Sequence, residues 1–250
     1  MAANNNTDEL EIIVVEPKHR ANAAIIWLHG LGASGSDFIP ITKQIGLPEA
    51  HDIRFLFPNA PARPITVNHQ MVMPGWYDIF GLDLTAKEDI AGIQHSTKIL
   101  NNLIQQEINN GILSSNILLA GFSQGAAMAL HTGLCYPQKL GGIIALSGYM
   151  PLILGEMGKS IVVQQRGQIN PYDNHHKILN PANANIPIFM AHGLFDTVVP
   201  FHVGKNSYEY LTHLTYNVQW QTYPMLHTLC LEEIHDIGIF VRKVLTINAL

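Results

Sequence analysis

The pentapeptide Gly121-Phe122-Ser123-Gln124-Gly125 lies between an apolar run, residues 116–120, and a run of small residues, 126–130. A serine with a glycine two residues away on each side is typical of a nucleophile elbow, a tight turn from a strand into a helix. Glycine is needed there because a Cβ atom would collide with neighbouring backbone. The turn exposes the serine hydroxyl, which can then attack a carbonyl carbon. We therefore expect Ser123 to be a nucleophile that needs a base, an acid and an oxyanion hole.

The base must take the serine proton, and an imidazole with a pKa near 7 suits that role. The chain contains 13 histidines. In hydrolases with this elbow, the chain order is the serine, then an Asp or Glu, then a histidine. That order removes every histidine before the serine, and those at positions 131, 202, 213 and 235 fall in or beside predicted helices. His227 follows the last predicted strand on a loop, so we predict that it is the base.

The acid should follow a later strand at the same edge of the sheet as the nucleophile. Asp196 comes just after the buried strand predicted at 186–191. Its carboxylate would accept the Nδ1 proton of the base and would stabilise the imidazolium as it forms. Asp173, in an irregular segment, and Asp236, after the base, are weaker candidates. A purely structural alternative is that Asp196 caps the turn before Val198.

The tetrahedral intermediate of acyl transfer carries an oxyanion, which needs two preorganised backbone N–H donors. One donor should be Gln124, directly after the nucleophile. The second is expected from a glycine-rich loop after an early strand, and the loop from His29 to Gly32 follows the buried strand at 23–28. We predict that Leu31 supplies this donor through its backbone. The alternative is that these glycines only form a turn.

The apolar periodicity predicts alternating strands and helices, and hence an α/β fold with a mostly parallel central sheet and helices on both faces. The first two predicted strands, 11–15 and 23–28, are expected to form a hairpin. Residues 58–76 are predicted to form a proline-rich loop. The longest helix is predicted from Thr85, which would form a capping box with Glu88, to about Asn109. We expect one domain over residues 1–250, with an irregular insertion at about 151–185.

Composition narrows the range of partners. With 14 Lys and Arg against 19 Asp and Glu, the net charge of −5 disfavours nucleic acid. No apolar run reaches the length of a membrane span, and the first residues lack the features of a secretory signal, so we expect a cytoplasmic protein. Cys135 and Cys230 are expected to be reduced. The His175-His176 pair lacks further ligands at metal-site spacing, so we predict no metal.

With these residues, the chain resembles the small α/β-hydrolase carboxylesterases, a family that includes acyl-protein thioesterases and lysophospholipase-like esterases. The resemblance is carried by five stretches that span most of the chain, residues 27–32, 58–61, 71–78, 121–125 and 192–200. It implies an α/β-hydrolase fold, a serine esterase or thioesterase activity, and no cofactor. It also implies a triad at Ser123, Asp196 and His227, with Leu31 and Gln124 as the oxyanion hole.

The substrate groove is where the chain departs from the family pattern. Ala126 replaces a usual second glycine after the elbow, His69-Gln70 replaces usual glycines, and the segment between Tyr149 and Ile186 looks longer than is typical. Met73 and Trp76 are expected to line an acyl groove, although Trp76 could equally pack a long loop onto the core.

The sequence leaves three hypotheses about the function open. The first is an esterase or thioesterase acting on small molecules or acylated proteins, as a monomer or a weak homodimer. The second is a binding protein that retains the hydrolase fold without turnover. The third is another serine hydrolase, such as a lidded lipase or a peptidase.

Overall fold

A computed structural model describes residues 10–81, 88–151 and 179–247. The strands in the described residues are β1 (Ile12–Val15), β2 (Ala23–Leu28), β3 (Ile53–Pro58), β4 (Ala62–Ile65), β5 (Met71–Pro74), β6 (Ile117–Phe122), β7 (Gly142–Leu146), β8 (Ile188–Gly193) and β9 (Val218–Tyr223). Seven of them form one sheet in the order β1-β3-β2-β6-β7-β8-β9, in which β1 and β3 are antiparallel and every other neighbouring pair is parallel. A separate antiparallel hairpin consists of β4 and β5. The predicted α/β fold with a mostly parallel sheet is confirmed.

Helices cover both faces of the seven-stranded sheet, because strands buried on both faces need apolar cover on each side. The helices are α1 (Ile41–Gln44), α2 (Ile90–Asn109), α3 (Gln124–Cys135), α4 (Phe201–His213) and α5 (Leu231–Val244). Leu103, Met128 and Leu211 from α2, α3 and α4 share one core with Ile26 of β2. The α1 and α5 helices pack in the other core, with alternate strand side chains such as Trp27.

The predicted hairpin of the first two strands is wrong. Strand β1 pairs antiparallel with β3, whereas β2 lies between β3 and β6. All six side chains of β2 are buried, which suits a central strand with a neighbour on each side. Val14 of β1 is exposed, as an edge strand allows. The short connection between β1 and β2 favoured pairing of these two strands with each other. The burial of both faces of β2 in the centre of the sheet is the stronger effect.

Two further details of the first half differ from expectation. Within the predicted proline-rich loop, β4 and β5 pair through a turn at His69 and Gln70, whose φ angles of 54° and 62° lie in the left-handed region. Glycine adopts such angles without strain, whereas neither of these two residues is a glycine. The long helix begins at Ile90 rather than Thr85, because Asp89 accepts a hydrogen bond from Gly92 N and caps it. Thr85 lies outside the described residues.

Most of the predicted insertion, including Asp173 and the His175-His176 pair, also lies outside the described residues. The chain is described again from Leu179 and enters β8 at Ile188. A single domain over the whole chain therefore stays a prediction. Within residues 10–81, 88–151 and 179–247, no helix is both long and apolar enough to cross a bilayer.

Candidate active site

Ser123 joins β6 to α3 with φ 56° and ψ −119°, a strained conformation that non-glycine residues rarely adopt. A Cβ atom at Gly121 would lie 2.2 Å from the carbonyl oxygen of Gly125, and one at Gly125 would lie 2.2 Å from that of Leu28. Both glycines are therefore required by close backbone approach. The Ser123 backbone N–H donates to Leu146 O at 2.8 Å, which ties the turn to the end of β7.

Asp196 and His227 meet at the carboxyl ends of β8 and β9. The Nδ1 atom of His227 lies 2.6 Å from Asp196 Oδ2, and the other carboxylate oxygen accepts from Val198 N and Val199 N, each at 2.9 Å. Asp196 thus both caps its own turn and contacts the imidazole. Because Nδ1 faces a carboxylate, it carries the proton, and Nε2 is left as the proton acceptor.

The loops that carry this pair are held together by backbone contacts. Leu194 N donates to Tyr223 O at 2.8 Å, and Phe195 N donates to Met225 O at 3.1 Å. Gly193 permits this approach, since a Cβ atom there would lie 2.5 Å from Met225 O. The loop after β8 is therefore fixed against the loop that presents His227.

His227 lies beside the elbow, with its ring centroid 4.7 Å from that of Phe122, the residue before the serine. Among the described residues, the Ser123 hydroxyl forms no hydrogen bond. Catalytic hydrogen bonds are often long in free enzymes and tighten once substrate is bound. The arrangement thus brings the predicted acid, the predicted base and the strained serine to one edge of the sheet.

A second histidine beside the acid was missed from the sequence. His192, the penultimate residue of β8, is fully buried, with Nε2 2.9 Å from Val199 O and 3.4 Å from Asp196 Oδ2. Burial lowers its pKa, although the Val199 carbonyl and the Asp196 charge oppose that shift. The neutral ring donates from Nε2 to Val199 O and stabilises the turn that holds Asp196. Its spacing of four residues before the acid was the only signal in the sequence.

The predicted oxyanion donors are Leu31 and Gln124. In the part of the chain that the structure describes, neither backbone N–H donates a hydrogen bond, whereas Gly32 N donates to Pro74 O at 2.8 Å. The loop is close to the elbow, because a Cβ atom built at Gly30 would lie 3.3 Å from Ser123 Cβ. Two unused N–H groups near a serine can stabilise an oxyanion.

The two predicted groove residues lie in different surroundings. Met73 is half-buried beside the glycine-rich loop, and its sulfur accepts from Asn68 Nδ2 at 3.4 Å. Trp76 is fully buried, and its indole N–H donates to His29 O at 2.9 Å. These contacts tie Trp76 to the fold, and its role in an acyl groove stays a prediction.

Apolar side chains surround the acid and base loops at the surface. Four of them are exposed on these two loops, namely Leu194, Phe195, Val198 and Leu226. Exposed apolar groups next to a reactive centre are typical of ligand-binding sites rather than of inert surface. These four side chains form an apolar surface beside the predicted acid and base.

Comparisons with known proteins show the family of this chain. The sequence profile of the phospholipase/carboxylesterase family matches residues 10–245. Acyl-protein thioesterase 1 of Neurospora crassa is 39% identical over 238 residues, covering 92% of this chain and 90% of that protein. Acyl-protein thioesterase 1 of Gibberella zeae is 40% identical over 228 residues, covering 88% and 90%.

Solved structures show the same fold. The crystal structure of Arabidopsis thaliana SOBER1 superposes with a TM-score of 0.78 at 28% identity, covering 90% of this chain and 100% of that one. Zea mays acyl-protein thioesterase 2 superposes with a TM-score of 0.74 at 26% identity, covering 94% and 99%. The chain belongs to the phospholipase/carboxylesterase family of α/β hydrolases and is a hydrolase of esters or thioesters.

Proposed function

We propose that this protein is an acyl-protein thioesterase with a broader carboxylesterase activity, in which Ser123 is the nucleophile, His227 the base and Asp196 the acid. The observation that carries the proposal is the 2.6 Å contact between Asp196 and His227, next to a serine in a strained elbow. An isolated serine hydroxyl is a weak nucleophile, and a neighbouring oriented imidazole is what activates it.

The reaction proceeds through an acyl-enzyme. Ser123 Oγ attacks the carbonyl carbon while its proton moves to Nε2 of His227, and the oxyanion is stabilised by the N–H groups of Leu31 and Gln124. The intermediate then collapses, and the imidazolium gives its proton to the departing thiol or alcohol. A water molecule then attacks the acyl-enzyme while Nε2 of His227 accepts its proton. The imidazolium returns that proton to Ser123 Oγ, and the carboxylic acid product is released. No step requires a cofactor.

The preferred substrate class is an apolar acyl chain attached to a polar leaving group, such as an S-acylated cysteine on a protein. The exposed apolar side chains beside the acid and base support an apolar acyl group. The relatives at about 40% identity are acyl-protein thioesterases, which supports a protein thioester as the substrate. We further propose that the protein acts in the cytoplasm as a monomer or weak homodimer.

A fluorophosphonate probe tests the nucleophile. We expect the folded protein to be labelled and Ser123→Ala to be neither labelled nor active, while keeping its circular dichroism spectrum. An unlabelled native protein would favour the binding-protein reading. Rates on p-nitrophenyl esters of increasing chain length, on an S-palmitoylated peptide and on an unmodified peptide then separate a thioesterase from a lipase or a peptidase.

A further inference from the structure

The side chain of Gln124 spans the gap between the elbow and the segment after β5. Its Oε1 accepts from Trp76 N at 2.9 Å, and its Nε2 donates to Tyr77 O at 2.8 Å. The amide thus pairs with backbone groups much as a neighbouring strand would. Gln124 is only 3% exposed, so water does not compete for these bonds. The residue predicted to donate to the oxyanion through its backbone also holds another segment through its side chain.

That segment in turn holds the other half of the oxyanion hole. The indole N–H of Trp76 donates to His29 O at 2.9 Å, and the two rings lie 5.4 Å apart. His29 Nε2 accepts from Ala60 N at 2.9 Å, and burial lowers the pKa of this histidine, so the ring stays neutral as an acceptor. Leu31, the second predicted donor, follows two residues later.

We propose that the Gln124 side chain and Trp76 are positioning residues that set the separation of the two oxyanion donors. The connection runs from the elbow through the Gln124 amide to the Trp76 backbone, and from the Trp76 indole to the His29 carbonyl. This inference rests on the proposed function, because it assumes that Leu31 and Gln124 donate to the oxyanion.

The physical reason is that one N–H donor sits on the elbow helix and the other on a loop from a different strand. Electrostatic stabilisation of an oxyanion depends on donors held in advance at about 2.7–3.1 Å from the developing charge. A glycine-rich loop has few side chains of its own to fix it. A buried indole and a buried amide supply that rigidity through bonds that would be left unsatisfied if the loop moved.

The test is Gln124→Met, which keeps the backbone N–H and a similar volume but removes both amide bonds. Trp76→Phe removes the indole N–H at the other end of the connection. The matched control is Asn183→Leu, because this fully buried amide also bonds backbone, accepting from Leu140 N at 2.8 Å and donating to Tyr136 O at 2.8 Å. It lies at the amino end of β8, on the opposite edge of the sheet from the site.

We expect Gln124→Met to lower kcat about 10-fold to 100-fold with KM changed less than threefold, since a displaced donor costs less than a deleted one. The affinity for a trifluoromethyl ketone, whose carbonyl carbon is attacked by the serine to give a hemiketal oxyanion, should fall by a similar factor. Trp76→Phe should act in the same direction, and the double variant should lose less than the product of the two single effects. Asn183→Leu should lose stability but keep kcat.

Equal loss of kcat in Gln124→Met and Asn183→Leu would overturn the inference, because both effects would then be general destabilisation. A folded Gln124→Met with wild-type kcat would also overturn it. Should Gln124→Met not fold, Trp76→Phe carries the same test. If Ser123→Ala retained full activity, the proposed function would fail. If Ser123→Ala were inactive but Gln124→Met fully active, only the present inference would fail.

Discussion

Gly125→Ala should damage catalysis through a single methyl group. The added Cβ atom would lie 2.2 Å from Leu28 O and 2.6 Å from His29 O, whereas real Cβ atoms essentially never approach within 3.0 Å. Both obstacles are backbone atoms, and Leu28 ends a strand that is fixed by neighbours on each side. The start of α3 must therefore move about 0.8 Å from the end of β2 and about 0.4 Å from His29 in the glycine-rich loop, an overpacking that costs about 1–3 kcal/mol of stability.

That separation acts directly on the oxyanion hole, because one predicted donor is on each of the two displaced segments. A misplacement of about 1 Å can cost about 10²-fold in rate. We expect kcat/KM for a p-nitrophenyl ester to fall about 30-fold to 100-fold, with KM little changed. The melting temperature, followed by circular dichroism, reports the accompanying loss of stability.

The control is Gly133→Ala in the same helix. There the added Cβ atom would come within 3.0 Å of side-chain atoms only, Ile143 Cδ1 at 2.7 Å and Cγ1 at 2.9 Å. We expect this variant to keep kcat/KM, because Gly133 is remote from the elbow. If folded Gly125→Ala stayed within threefold of the wild type, the view that close packing of the elbow sets the donor geometry would be refuted.

Two further outcomes test the buried polar residues Asp196 and Glu233. Asp196→Asn should lower kcat about 10⁴-fold, because its amide would present an N–H to His227 and favour the wrong tautomer. Steady-state kinetics on the folded variant measure this change. A loss below tenfold would contradict the triad. Burial raises the pKa of Glu233 to about 8, well above its ordinary 4.5, so folding favours the protonated form and stability declines as pH rises from about 4.5 to 8. Glu233→Gln, which stays neutral, should therefore gain melting temperature relative to the wild type over that range. If the difference in melting temperature between the two proteins did not change with pH, the raised pKa of Glu233 would be contradicted.

Secondary structure was predictable where a local pattern and tertiary packing agree. The strand at Val218–Tyr223 follows from its composition, and α3 follows from the small residues after the elbow. The prediction failed at β1, where a short connection indicated a hairpin but burial placed β2 in the centre of the sheet. It also missed the β4–β5 hairpin, because the left-handed turn at His69 and Gln70 lacks the usual glycines.

Individual site residues were predictable because α/β hydrolases of this type place them in a set order along the chain. Motif and order pointed to Ser123, Asp196 and His227, an assignment that stays a prediction for their catalytic roles. The bonds from the Gln124 side chain to the backbone of Trp76 and Tyr77 have no sequence signature. Such contacts join residues from separate strands and loops, and no local propensity encodes them.

The sequence by itself determined the kind of chemistry and the class of fold, because a glycine-flanked serine between a strand and a helix, and alternating apolar segments, are local patterns. Only the tertiary structure decided how the catalytic groups are held. The 2.6 Å contact of Asp196 with His227 and the amide connection from Gln124 depend on which strands lie side by side. Strand order is set by the burial of whole faces, a property of the assembled sheet that no single segment contains.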